Sequence, residues 1–190
     1  MESFLVSITS VAMAEMGDRT QLLSLVLAAR FRRPWSILAG ILCATLANHA
    51  AAGALGAAFG RLLDPRILDA VVGVSMIAMA LWALKPDKLG ERDATARGMS
   101  AFRATLVAFF IAEIGDKTQI ATLALAAAYP SLVAVIAGTT CGMLLANAPV
   151  VLLGKAFADR LPIRAIHCGA AAVFAALGIV FLVRAAWHMT

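Results

Sequence analysis

The stretch Glu15-Met16-Gly17-Asp18-Arg19-Thr20-Gln21-Leu22 returns, 98 positions later, as Glu113-Ile114-Gly115-Asp116-Lys117-Thr118-Gln119-Ile120. Each copy sets two carboxylates and a base inside an apolar run. On an ideal helix Glu15 and Asp18 share a face, and Gln21 continues that stripe. Arg19 follows Glu15 by four residues, the spacing of an intrahelical ion pair, as Lys117 follows Glu113. Thr20 points roughly away from the acids. Gly17, between them, permits the helix to unwind and free carbonyl oxygens as ligands.

These residue types suggest cation chemistry. The four carboxylates of Glu15, Asp18, Glu113 and Asp116 can join the amide oxygens of Gln21, Gln119, Asn48 and Asn147 in an oxygen-rich cage. Thr20 and Thr118 are lesser candidate ligands. Arg19 and Lys117 offset two of the four negative charges, and the net −2 that remains matches a divalent ion. Oxygen ligands without dependable His or Cys suit Ca²⁺, Mn²⁺ or Mg²⁺ better than Zn²⁺ or Cu⁺. Mg²⁺, which surrenders water reluctantly, fits least well. Clustered acids in a low dielectric cannot all stay ionised without a cation, so metal and protons compete for one site and can exchange through it. No cofactor and no enzymatic activity are expected. An enzyme calls for an activated nucleophile or an asymmetric acid/base pair, whereas these polar groups are duplicated.

The surrounding elements must bring the two copies together. The chain has 190 residues, 62% hydrophobic and 14% charged, with a mean hydropathy of +0.90. Soluble domains carry about 25% charged residues, so an all-α integral membrane protein is expected. Six apolar runs reach the length of a span, about 20 residues: 4–29, 34–59, 67–84, 104–128, 131–154 and 165–187. The N-terminal run lacks a basic leader and meets acids directly, so it reads as a retained first helix rather than a signal peptide. Gly40 with Gly138, Cys43 with Cys141 and Phe59 with Phe157 continue the offset of 98, while Asn48 and Asn147 align after a one-residue slip. The expected organisation is a three-helix repeat over 1–84, a cytoplasmic connection over 85–103 and a second three-helix repeat over 104–190. Three spans per half is an odd number, so the second half enters the membrane inverted, the plan of many secondary transporters with a midplane site.

Charge sets the orientation. Connections after the first, third and fifth runs hold eleven Lys and Arg, from Arg30 through Arg164; the opposite side holds Arg61, Arg66 and Arg184. The richer side should face the cytoplasm, leaving both termini outside. The net charge of +5 is thereby explained without nucleic acid, since no basic patch is interleaved with aromatics. Glu15 and Glu113 each lie about 14–16 Å into their spans, half of a ~30 Å hydrocarbon layer. Six ionisable groups at that depth cost on the order of 15–20 kcal/mol before pairing. A salt-bridge network joining helices is the plainer explanation, and the duplication of the whole motif disfavours it.

Other residues read as structural. Cys43, Cys141 and Cys168 are an odd number in apolar segments, which suits small packing residues better than disulfides. His49, His167 and His188 have no repeat partner at this alignment and are taken as hydrogen-bonded structural histidines, although His49 sits where a proton relay would. Trp35, Trp82 and Trp187 mark span ends.

The doubled hexamers Glu15-Met16-Gly17-Asp18-Arg19-Thr20 and Glu113-Ile114-Gly115-Asp116-Lys117-Thr118 fit the pattern E-x-G-D-[KR]-[ST] without departure. In this the chain resembles the manganese/calcium cation:proton transporter family, which includes Golgi proteins and bacterial manganese exporters. The resemblance implies that the acids bind metal and that the role is to keep cytoplasmic Mn²⁺ low. With short loops it implies a bacterial inner-membrane protein with periplasmic termini. The implied partners are the divalent cation, protons and the lipid bilayer, with room for a homodimer. An exporter of amino acids or other small organic solutes, of similar six-span build, is the alternative.

Overall fold

The computed structural model describes residues 1–85, 98–154 and 162–187. The described residues form eight helices and no strand: α1 (Glu2–Glu15), α2 (Arg19–Phe31), α3 (Pro34–Leu62), α4 (Pro65–Ala83), α5 (Ala101–Glu113), α6 (Lys117–Ala128), α7 (Leu132–Leu153) and α8 (Ile163–Trp187). Four of them, α3, α4, α7 and α8, are long and apolar enough to cross a membrane. The apolar runs 4–29 and 104–128 are each split in two at the motif, so neither is a continuous helix. Most of the polar connection expected over 85–103, including Lys88, Arg92 and Arg97, lies outside the described residues, as do Lys155, Phe157, Arg160 and His188.

Local sequence explains the boundaries. Pro34 and Pro65 occupy the first turns of α3 and α4, where a missing N–H costs nothing, and Asp64 caps α4 by accepting from the Arg66 N–H. Ser100 and Ser131 cap α5 and α7 in the same manner. At the split, Gly17 and Gly115 take φ of +82° and +74°, left-handed values that a side chain disfavours. Asp18 and Asp116 follow in extended conformation as N-caps of α2 and α6. Three residues on, Gln21 and Gln119 reach back and accept from the Gly17 and Gly115 N–H groups, each at 2.8 Å. The pattern is akin to a capping box, shifted by one residue.

The helices cross-pack between the two halves of the chain. The α1 helix lies along α7, and α5 lies along α3. Contacts advance together in both pairs: Gly138 meets Phe4 and Gly142 meets Ile8, while Gly40 meets Phe102 and Asn48 bonds the Phe110 carbonyl. Each pair therefore runs parallel. The α4 and α8 helices run antiparallel, with Gly73 against Gly178 and an Asp69–Arg184 ion pair of 3.3 Å near the start of one and the end of the other. Large apolar side chains such as Leu55, Val74, Ile111 and Val183 cover the outside, and Trp35 and Trp187 stand exposed at helix ends, as lipid-facing and interfacial residues do. The interior around the two splits is polar: Glu15, Asp18, Asn48, His49, Glu113, Asp116 and Asn147 are all buried.

Candidate metal-transport site

Both splits meet at the centre of the helix packing. Glu15 ends α1 and Glu113 ends α5, so each glutamate stands at the negative end of a helix, where a carboxylate is least welcome without a cation. One oxygen from each of Glu15, Glu113 and Asp116 falls within 4.8 Å of the others, and all three side chains are buried. Neither carboxylate oxygen of Glu15 has a hydrogen-bond partner among the described residues, nor has Oε1 of Glu113. The other Glu113 oxygen accepts from the Thr118 hydroxyl at 2.9 Å. A buried anionic group without a hydrogen-bond partner is costly, and a metal ion supplies both charge and bonds.

The bases pair across the halves, not along their own helices. Lys117 Nζ lies 2.8 Å from Asp18 Oδ1, and Arg19 Nη2 lies 3.4 Å from Asp116 Oδ1 while donating to the Ala112 carbonyl. The i, i+4 pairing of Arg19 with Glu15 presupposed a continuous helix. The backbone breaks between those two residues, so the spacing no longer places them on one face. Asp18 and Asp116 make no side-chain cap to their own helices, which leaves their carboxylates to these cations.

The remaining candidates are spread around this centre. Gln21 donates to the Ala146 carbonyl at 2.8 Å, and Gln119 lies 3.5 Å from the Asn48 amide oxygen. Asn48 donates to the Phe110 carbonyl, and Asn147 accepts from Ser24 at 2.7 Å and donates to the Met143 carbonyl. Thr20 is fully buried, because α2 restarts after the split and turns it inward. Ser24 was not a sequence candidate. Its equivalent at the offset of 98 is Thr122, whose hydroxyl bonds the Thr118 carbonyl, and that polar pairing was the available signal.

The register of α3 against α7 differs from the sequence alignment in one respect. Gly40 packs on Phe102 and Thr105, and Gly138 on Phe4 and Ser7, each 98 apart. Gln119 and Gln21 likewise contact Asn48 and Ala146. The offset holds unbroken through these turns, so the counterpart of Asn147 is His49, not Asn48. A one-residue slip turns a helix by about 100° and would have removed these matched contacts. His49 is fully buried, its Nε2 3.9 Å from Glu113 Oε2.

Comparison with known proteins agrees with this cation chemistry. The family profile described as "Divalent cation/proton antiporter GDT1" matches residues 3–91 and again residues 101–189. A Vibrio cholerae serotype O1 protein named "Putative manganese exporter" is 54% identical over 176 residues, covering 92% of this chain and 87% of the relative. A GDT1-like protein of Synechocystis sp. is 28% identical over 181 residues, 85% of this chain and 87% of its own length. GDT1-like protein 4 of Oryza sativa subsp. indica is 25% identical over 187 residues, 84% of this chain and 66% of its own length. No solved structure matches the chain.

Proposed function

Because the chain belongs to the GDT1 family of divalent cation/proton antiporters, a membrane cation transporter, we propose that it exports Mn²⁺ from the cytoplasm in exchange for protons. The carrying observation is the buried triad of Glu15, Glu113 and Asp116 oxygens within 4.8 Å, with Glu15 lacking any hydrogen bond among the described residues. The name of the Vibrio relative favours Mn²⁺ over Ca²⁺ as cargo. Metal binding neutralises the cluster, and protons entering the same carboxylates displace the metal. An amino-acid cargo needs a cation for its carboxylate, but Arg19 and Lys117 are already engaged by Asp116 and Asp18.

The transport cycle in this reading is alternating access between two inverted three-helix repeats, residues 1–84 and 104–190, joined by a cytoplasmic connection over 85–103. Each repeat contributes one split span and two continuous ones. The twofold family match and the antiparallel run of α4 against α8, which hold equivalent places in the two halves, support the inversion. Asp18 and the three triad acids bind the ion, with Gln21, Gln119, Asn48, Asn147, Thr20 and Thr118 as lesser contributors. The setting is a bacterial inner membrane with both termini periplasmic.

The test is Mn²⁺ and Ca²⁺ flux into proteoliposomes under an imposed pH gradient, for the wild type and Glu113→Gln. The expected result is gradient-driven flux, greater for Mn²⁺, that disappears in the variant. Flux indifferent to the gradient would refute exchange, and flux preserved in Glu113→Gln would refute the site.

A further inference from the structure

His49 is the exception to the symmetry of the site. Its counterpart in the other half is Asn147, and the two are not interchangeable. Both polar ends of the Asn147 amide are engaged, by Ser24 and by the Met143 carbonyl. Neither ring nitrogen of His49 makes a hydrogen bond among the described residues, although the side chain is completely buried. A buried imidazole with both nitrogens unsatisfied is unusual, because such a group normally has at least one partner. The structural role expected for a buried histidine is not the one this geometry provides.

The separation from Glu113 is informative. At 3.9 Å, Nε2 and Oε2 are too far apart for a hydrogen bond. Two ligand atoms on one ion, each about 2.2 Å from it, lie no more than about 4.4 Å apart. The pair therefore fits a shared metal ion and does not fit direct bonding. We propose that His49 is a metal ligand, contributing one nitrogen beside Glu113 Oε2 at the edge of the Glu15, Glu113 and Asp116 cluster, of which it is not itself a member, and that it biases the site toward Mn²⁺ over Ca²⁺ and Mg²⁺. Imidazole suits transition metals, whereas Ca²⁺ and Mg²⁺ take oxygen ligands. The proposal rests on the cation-site reading above and narrows its substrate class to metals that accept nitrogen. It also assigns unlike roles to the halves: mixed nitrogen and oxygen ligation from the first, which carries Glu15 and His49, and oxygen ligation alone from the second.

Bound Mn²⁺ reports its own ligands. Purified protein in detergent, loaded with Mn²⁺ and freed of excess ion, is examined by electron spin-echo envelope modulation. The expected result is a directly coordinated ¹⁴N signal in the wild type, replaced by the ¹⁵N pattern when only the histidines are ¹⁵N-labelled. The labelling needs no substitution, so it stands even where a variant folds poorly. His49→Gln should abolish the nitrogen signal and His167→Gln should preserve it, and His49→Gln should lower the affinity for Mn²⁺ more than for Ca²⁺. Bound Mn²⁺ without histidine nitrogen coupling, or coupling lost in His167→Gln and kept in His49→Gln, would overturn this inference while leaving the cation site intact. Wild-type protein that binds no Mn²⁺ would overturn both.

Discussion

Around Gly17, the side chains of Ile163 and His167 stand 3.1–3.2 Å from where a Cβ would lie, whereas around Gly115 nothing among the described residues approaches within 4 Å. Met16 is half-buried, while its counterpart Ile114 is 58% exposed. The two motif copies are nearly identical in sequence, so this difference comes from what is packed on them. The α8 helix lies against α1, but α4 makes no comparable contact with α5 and rests on α6 and α8 instead. The cations differ too. They cross over: Lys117 of the second copy reaches Asp18 of the covered first copy and is 2% exposed, whereas Arg19 of the first copy reaches Asp116 of the open second copy and is 31% exposed. A duplicated sequence has thus been placed in two unlike environments, one covered and one open. Exchange of those environments is what the alternating access proposed above would require.

The largest effect should come from freezing the covered side. Met13 Cε reaches within 2.5 Å of the position a Gly169 Cβ would take, which places α1 and α8 within cross-linking range. In a background lacking Cys43, Cys141 and Cys168, the pair Met13→Cys with Gly169→Cys, bridged by a cleavable bifunctional thiol reagent, should stop Mn²⁺ transport. Replacing Met13 also removes the side chain that would crowd the new cysteine. Reductive release should restore transport. Full activity in completely cross-linked protein would mean that α8 does not leave α1 during the cycle.

A smaller effect separates the two ion pairs. Lys117→Met strands a buried carboxylate and should cost about 3–5 kcal/mol of stability. Arg19→Met also removes the cation from a buried carboxylate, that of Asp116, but Arg19 is 31% exposed and its pair is longer, so the loss should be the smaller of the two. Thermal unfolding of both variants in one detergent checks the ranking, and equal losses would show that the pairs are electrostatically alike.

The smallest difference concerns the glycines. Gly17→Ala and Gly115→Ala share the strain of a left-handed residue, about 1–2 kcal/mol. Gly17→Ala must in addition displace Ile163 or His167, so its melting temperature should fall further. A greater loss in Gly115→Ala would contradict the covered and open assignment.

Much of this was legible in the sequence because it depends on local order. Six apolar runs, the doubled motif and its acids are properties of consecutive residues. Gly17 flagged where a helix could unwind, with Gly115 as its repeat counterpart, and the Asp-x-x-Gln spacing that restarts it is also local. What depends on the approach of distant segments was not legible. The exchange of partners that gives Arg19 to Asp116 and Lys117 to Asp18 follows from how the split ends face each other, and i, i+4 spacing pointed elsewhere. His49 was set aside because its counterpart is chemically different; only the packed register of α3 and α7 identifies Asn147 as its equivalent. The partnership of Asp69 with Arg184 depends on the antiparallel contact of α4 with α8, which no motif announces.

The central claim is that the two copies build one shared site. Equilibrium dialysis of purified protein with radioactive Mn²⁺ counts the ions directly, in the wild type and in Glu15→Gln and Glu113→Gln separately. The account predicts one ion per chain in the wild type and loss of that ion in either variant at the same free concentration. Two ions per chain, or one ion retained in each single variant, would mean that each motif binds metal independently and would contradict it.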